Sequence, residues 1–583
     1  MKQVHGGDIV ARMLKAEGVE KVFGIIDGTY FGLYANLREH GIELISPRHE
    51  TCAAHMAGTY SRATGKLGVC IASNGPGVAN VLPGVAVENG EGNRVLLITS
   101  CRREGIAYPD RGGTYQYFNQ TAVTKPMTKW SGVALSRDRV PELMRRALRE
   151  VFLGRPGVVH LDIPESIING KDKFDLDEIR EPHTYRPVQP LQPNAEQVEE
   201  AAKMLRAAKQ PLIHAGSGII HARAFEELQT VADLLGAPVT TSWGARGVLP
   251  ETHASAIPMI NLKLNNRVRN DADVVLGLGS RFGETDWWGK PPYWRPPAEQ
   301  RVIQVDLDPQ NLGVNKPVSV AIQADVRAFL ARLAEALQAS GAGDVTSRKR
   351  ALDRYAQAGQ EERAGFDKKL KKGEGVNPGL VVRTSQQIMP DTTMWVFDGG
   401  NTAVWANFFH QARVPNTIFS TFKFGMLGAG VSQAIGAKAA APDRPVCCLI
   451  GDGAMGFHIQ EIETAVRHNL DIIYVVFTDR QWGMVKLNQQ FSLRPWKTVL
   501  RKSLDEEETI NADFHDMEFH RVGEAMGAYG ERVSKAEDLQ PALERARDAG
   551  RTAVLHVDVD RVEHMWAPGL MAFKDMHLEP GEN

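Results

Sequence analysis

The stretch VCCLIGDG at 446–453, followed by IIYVVFTD at 472–479, decides the fold. Each is an apolar run that stops where Gly, Asp or Thr appear, and HIQEIETAVRHNL at 458–470 lies between them with helical spacing. Parallel neighbouring strands need a long crossover connection, and strands covered on both faces read as unbroken apolar runs, so the pattern is strand, helix, parallel strand. Two adjacent strands then deliver Asp452 and Asp479 to one sheet edge, where open α/β sheets gather their ligands. Gly451 and Gly453 let the backbone approach an anion, and the helix that follows offers free N–H groups to phosphate oxygens. Two oxygen ligands beside phosphates suit Mg2+. A lone Gly-Asp-Gly is equally what a turn capping a helix looks like. The spacing of the two aspartates at strand ends, with QWGMV at 481–485 and the phosphate-friendly GGNT at 399–402, tips the reading toward a metal and diphosphate site.

Working outward, TMWVFDGG at 393–400 and AVLHVDV at 553–559 complete a third unit spanning 376–583. The same alternation opens the chain in DIVARMLKAEG, KVFGII, AAHMAGTYSRATG, GVCIAS, RVLLITS and GVVHLDIP, giving a first unit over 1–170. A polar stretch containing KDKFDLDEIREPH reads as a linker over 171–194. PLIHAG, APVTTSW, DVVLGLGSRF and RVIQVDLD form a central unit over 195–340, and the charged segment 341–375 reads as an exposed helical connector rather than core. The expected fold is α/β, with three doubly wound parallel-sheet domains.

Composition bounds the function. The chain has 583 residues, against about 150 for a typical domain. Lys and Arg total 68 and Asp and Glu total 70, so a formal charge of −2 argues against a nucleic acid or an acidic membrane as obligatory partner. At 43% hydrophobic and 24% charged residues, it is an ordinary folded protein that buries cores without disulfide help. Cys52, Cys70, Cys101, Cys447 and Cys448 show no CxxC spacing and read as reduced core thiols. The N-terminus lacks the apolar stretch of a signal peptide, and no later run of about 18 apolar residues occurs, so a cytoplasmic protein without membrane attachment is expected.

A second constellation lies in the first unit: PRHE at 47–50, HMAGTYSRATGKLGV at 55–69 and SNGPGVAN at 73–80. An isolated Glu50 opening a helix would be no more than a dipole complement. Taken with the Gly-Asp-Gly motif, these strings resemble the thiamine-diphosphate-dependent enzymes, with acetolactate-synthase-like organisation over essentially the whole chain. The resemblance implies pyrimidine-binding, central and diphosphate-binding domains in that order. It also implies thiamine diphosphate and Mg2+ as cofactors. Asp452 would be the first metal ligand, Asp479 the second in the place of the family's usual Asn, and the backbone carbonyl of Gln481 the third. Gly400, Asn401, Thr402, Gly425, Gly453, Ala454, Met455, Trp482, Gly483 and Met484 would border the cofactor, with Leu427 wedged beneath it. Glu50 would hydrogen-bond a pyrimidine ring nitrogen and so support the tautomer whose amino group takes the thiazolium proton. Gly75, Pro76 and Asn80 would flank the pyrimidine and Gln116 would sit above the thiazolium. Active sites of this family form between two subunits, which implies a homodimer at minimum and commonly a homotetramer.

The chain departs from the pattern again in the turn after the first strand. Asp27, in GIIDG at 24–28, stands where substrates react in the family, either handling protons or only shaping a turn. In the central unit, IHAGSGIIHA, VVLGLGSRF and QVDLDPQ resemble the family's central domain, which implies FAD, ADP or nothing bound there, with Arg281 and Asp306 at strand ends as the residues that would hold a diphosphate and a ribose. WWGKPPYW at 287–294 faintly resembles the 2-hydroxyacyl-CoA lyase and oxalyl-CoA decarboxylase branch, which is the alternative to a carbon–carbon lyase or carboligase acting on 2-oxo acids. A regulator that has lost catalysis is disfavoured by the retained Glu50. A nicotinamide-dependent dehydrogenase is disfavoured because GSGIIHA at 216–222 lacks the full GxGxxG fingerprint. The tail HMWAPGLMAFKDMHLEPGEN at 564–583 reads as either a lid over the pocket or an inert packed end.

Overall fold

The computed structural model describes residues 3–370 and 373–570. It contains three parallel sheets flanked by helices, plus one small antiparallel pair. The first six-stranded sheet runs, in spatial order, Glu43–Ile45, Lys21–Gly24, Gly68–Ala72, Val95–Cys101, Val158–Pro164, Trp130–Val133. The central sheet has five strands, Val239–Thr241, Pro211–Ala215, Val274–Leu278, Arg301–Asp306 and Val320–Gln323. The last has six: Ile418–Phe419, Met394–Asp398, Val446–Gly451, Ile472–Thr478, Ala553–Asp558, Tyr529–Val533. The inner strands are buried throughout, as Val95–Cys101 and Ile472–Thr478 are, which is why they read as continuous apolar runs. Among the described residues no helix is long and apolar enough to cross a membrane.

Two stretches differ from their sequence reading. Within 171–194, Lys173–Asp175 is a strand that pairs antiparallel with Gln3–His5, so this segment straps the beginning of the chain. The charged segment beyond 341 forms the helix Val345–Asp367, and it is not simply exposed. Ala351, Leu352 and Tyr355 are buried with Trp294 and Phe282 of the central unit. Buried Arg348 donates to the carbonyls of Leu235, Leu205 and Ala208. Its charge is spread over the ends of other elements, a use of arginine that composition cannot distinguish from a solvated one.

The first and third units share one apolar cluster. Ala53, Met56 and Ala57 of the helix Glu50–Thr64 pack with Val431, Ala434 and Ile435 of the helix Ala429–Ala440, and the cluster continues into strands of both sheets. The helices approach closely because Gly436 has no side chain: a Cβ there would lie 2.5 Å from the carbonyl oxygen of Met56. Glu50 and Leu427 stand just at or before the starts of these two helices, so their packing sets where the candidate site residues of each unit project.

Candidate active site

In the trailing unit, Asp398 pairs with Ile450 and Gly451 with Phe477, so three strands end level and present GGNT, GDG and TDRQW along one edge. Asp452 accepts from its neighbour Gly453 N at 2.7 Å and from Arg480 N at 2.6 Å, which ties the two strand-end loops together. Asp479 is fully enclosed, and its Oδ2 accepts from His564 Nδ1 at 2.6 Å and Gln481 Nε2 at 3.1 Å. Burial, and then repulsion by Asp479, hold the Asp452 carboxyl well above the usual carboxylate range. Two buried carboxylates in that relation are a site that a cation relieves.

The backbone offers a third oxygen. Gln481 faces Asp513 across an isolated antiparallel bridge whose hydrogen bonds run from Trp482 N to Ala512 O and from Phe514 N to Arg480 O. The Gln481 carbonyl is left out of both bonds. Close by, the buried Asn401 amide has neither its nitrogen nor its oxygen hydrogen-bonded. A Cβ at Gly483 would meet Asn401 Nδ2 at 2.7 Å and Asp479 Oδ2 at 3.2 Å, so the Asn401 amide and the His564-bonded oxygen of Asp479 flank Gly483. Unpaired buried amides cost about 1–3 kcal/mol, and a hard cation with a phosphate beside it fits this donor set. Thr402 follows Asn401 on the helix Gly400–Phe409 and meets His564 Nε2 at 3.0 Å. Met484 packs toward Gly400, Trp482 toward Gly453, and Ala454 and Met455 are buried beneath. Leu427 is half-buried against the shared apolar cluster, and Gly425 is exposed two residues earlier.

The leading unit assembles its candidates the same way. Glu50 opens the helix Glu50–Thr64, capped by His49, whose Nδ1 accepts from Thr51 N at 3.2 Å. Gly75 precedes the helix Pro76–Glu91 with φ +63°, and a side chain there would collide with the Gln116 carbonyl oxygen at 2.6 Å. Gln116 itself is left-handed, with φ +54°, and its carbonyl accepts from Asn74 Nδ2 at 3.1 Å. Asp27 serves its turn: Oδ1 accepts from Thr29 N at 2.8 Å and Thr29 Oγ1 at 2.6 Å. Thr29 Oγ1 meets Ser100 Oγ at 2.6 Å, which in turn accepts from Asn74 N at 3.0 Å. Asp27, Gln116 and Gly75 are thus brought to one edge of the first sheet by a chain of hydrogen bonds. No hydrogen bond or ion pair joins Glu50 to Asp452 or Asp479 among the described residues of the single chain.

Sequence reasoning missed two supports. Gln120 and Asp162 lie under the Gly75 turn: Gln120 Oε1 accepts from Gly75 N at 2.8 Å while its Nε2 donates to Asp162 Oδ1 at 3.0 Å. Asp162 is buried and also accepts from Thr99 Oγ1 and Tyr108. The second is His564, in the segment read only as a lid or an inert end. It sits on the short helix Arg561–Met565, and residues 571–583 of that segment lie outside the described residues.

In the centre, Arg281 and Asp306 both line a cavity of about 720 Å³. Gly216 and Gly218 border it, as do Arg155 of the first unit and Lys423 of the third. Asp306 Oδ1 accepts from Asp308 N at 2.9 Å and Asn311 Nδ2 at 3.1 Å, and burial pushes its carboxyl up.

Comparison with known families matches all three units in order. The description "thiamine pyrophosphate enzyme, N-terminal TPP binding domain" fits residues 4–123, the central domain of the same enzymes fits 198–333, and their C-terminal TPP binding domain fits 398–557. The chain belongs to the thiamine pyrophosphate enzyme family. A sulfoacetaldehyde acetyltransferase from Alcaligenes xylosoxydans xylosoxydans is 31% identical to this thiamine pyrophosphate enzyme, over 93% of the chain and 91% of the relative. The acetolactate synthase large subunit of Corynebacterium glutamicum is 30% identical, over 97% and 88% respectively. A probable acetolactate synthase large subunit of Methanocaldococcus jannaschii is 27% identical over 96% and 93%.

Proposed function

We propose that this protein is a thiamine-diphosphate- and Mg2+-dependent enzyme that breaks or makes a carbon–carbon bond beside a carbonyl, acting on 2-oxo acids or related carbonyl compounds in the manner of acetolactate synthases. The observation that carries the reading is that Asp452, Asp479, Gln481 and the unpaired Asn401 amide all lie at one strand edge, with Asp452 tied to the loop of the other strand through Arg480 N. Thiamine diphosphate, when bound, supplies the nucleophilic carbon and the electron sink. The protein's part is to hold and to switch. Asp452, Asp479 and Gln481 hold the cation, and Gly400, Asn401, Thr402, Gly453 and Ala454 border the diphosphate. Leu427, Gly425, Met455, Trp482, Gly483 and Met484 shape the surrounding wall.

Glu50 of a second copy, with Gly75, Pro76 and Asn80, takes the pyrimidine, its carboxyl holding a proton at the ring nitrogen. A homodimer is the smallest assembly in which the leading unit of one chain faces the trailing unit of another. Gln116 and Asp27 line the approach of the reacting carbonyl. The central cavity, with Arg281 and Asp306, takes FAD or ADP; its arginine-rich wall and buried carboxylate support a diphosphate and a ribose.

The test is direct. Ligands released from purified protein are identified by absorbance and mass, and the protein reloaded with thiamine diphosphate and Mg2+ is offered 2-oxo acids, sulfoacetaldehyde and acyl-CoA esters. Release of CO2 or a coupled product from a 2-oxo acid is expected. Turnover confined to acyl-CoA esters, or failure to bind thiamine diphosphate, overturns the proposal.

A further inference from the structure

A carboxylate that holds a metal faces a problem an amide does not: its two oxygens are equivalent, so nothing in the side chain itself decides which one turns to the cation. At Asp479 the surroundings decide. Oδ2 accepts from His564 Nδ1 at 2.6 Å and from Gln481 Nε2 at 3.1 Å, whereas Oδ1 receives no N–H among the described residues. A carboxylate oxygen accepts, so the proton of the His564–Asp479 bond lies on Nδ1, and Nε2 on the other side of the ring meets the Thr402 hydroxyl at 3.0 Å. His564, Thr402 and Asp479 are 4%, 1% and 1% exposed, so water competes for none of these bonds.

The ring is itself held in place. Asp560 caps the helix Arg561–Met565 by accepting from Val562 N at 3.0 Å and Glu563 N at 2.9 Å, and Trp405 Nε1 donates to the His564 carbonyl at 3.0 Å. Trp405 and Thr402 belong to the same helix, Gly400–Phe409, so His564 is braced on the element that opens with GGNT.

We propose that His564 is a positioning residue for the cation site: it occupies Asp479 Oδ2 so that Oδ1 alone is presented to the metal, and through Thr402 it locks that ligand to the diphosphate-binding helix. This rests on the reading of Asp452, Asp479 and Gln481 as cation ligands. Partners of this kind typically change metal affinity by 10- to 100-fold when removed.

Mn2+ is the probe, titrated in the presence of thiamine diphosphate into the full-length wild type, H564A, H564Q, D479N and D479N/H564A, with bound ion read by electron paramagnetic resonance and folding by circular dichroism. H564A is expected to weaken Mn2+ binding by roughly 10- to 100-fold. H564Q, which keeps an N–H donor, recovers part of the loss. In the D479N background, where the amide distinguishes its own two ends, removing His564 costs less than in the wild type. Equal cost in both backgrounds, or H564A affinity equal to wild type, overturns the inference while leaving the cation site standing. Wild type that takes up no Mn2+ overturns the cation-site reading itself. Should H564A fail to fold, H564Q against D479N/H564Q reads the same comparison.

Discussion

Asn80 donates its side-chain amide to Glu50 Oε2 at 3.1 Å, linking the helices Glu50–Thr64 and Pro76–Glu91 through two residues thirty positions apart. The carboxyl of Glu50 is therefore oriented through Oε2 by Asn80, and under the proposed function Oε1 is the oxygen that would meet the pyrimidine nitrogen. Glu50→Gln keeps the shape and the Asn80 contact but cannot carry the proton. Turnover is expected to fall by about 10²- to 10⁴-fold, with thiamine diphosphate binding changed only a few-fold. Steady-state rates and a cofactor titration check both halves, and an undiminished rate in E50Q would rule out the relay.

Gly436 offers a test of the shared core. The methyl of Gly436→Ala would stand 2.5 Å from the Met56 carbonyl oxygen, a backbone atom that moves only if the helices separate. Overpacking of this kind costs about 1–3 kcal/mol. A lowered thermal midpoint is the expected result, accompanied by weaker cofactor binding because the helix Glu50–Thr64 shifts with it.

Burial pushes the Asp162 carboxyl up to about 6, against 3.8 for an ordinary aspartate, despite the donors from Thr99, Tyr108 and Gln120. The folded state then binds the proton more tightly than the unfolded state. Stability falls as pH rises between about 4 and 6, and stays at the lower level above that window. The difference in unfolding free energy between wild type and Asp162→Asn, measured from pH 4 to 7, should show this slope. A flat difference would mean that the carboxylate is ionised at no cost.

For the central cavity, Arg281→Ala is expected to weaken ADP or FAD binding by roughly tenfold or more, the loss of one charge-assisted contact. Calorimetric titration with each nucleotide checks it. Identical affinity in the variant would place the diphosphate elsewhere.

How far the sequence carries the reader differs by element. The three sheets were legible because a strand buried on both faces has no polar register to hide, and Asp452 and Asp479 were legible because a strand that stops on a carboxylate has a recognisable end. Asp27 was ambiguous for the same reason: a carboxylate after a strand can serve the turn, and here its Oδ1 is given to Thr29. His564 carried no signal, since it lies 85 positions from Asp479 and lies on a five-residue helix. The helix Val345–Asp367 misled because its charges dominate the composition, although Arg348 spends its guanidinium on buried carbonyls.

The apolar cluster common to the two outer units has a mechanical meaning. A protease that nicks the backbone within 171–194 would leave a break visible on a denaturing gel, yet the fragments would migrate together through a sizing column, because the leading portion is stitched to the trailing one by Met56, Val431 and their neighbours rather than by the peptide that connects them.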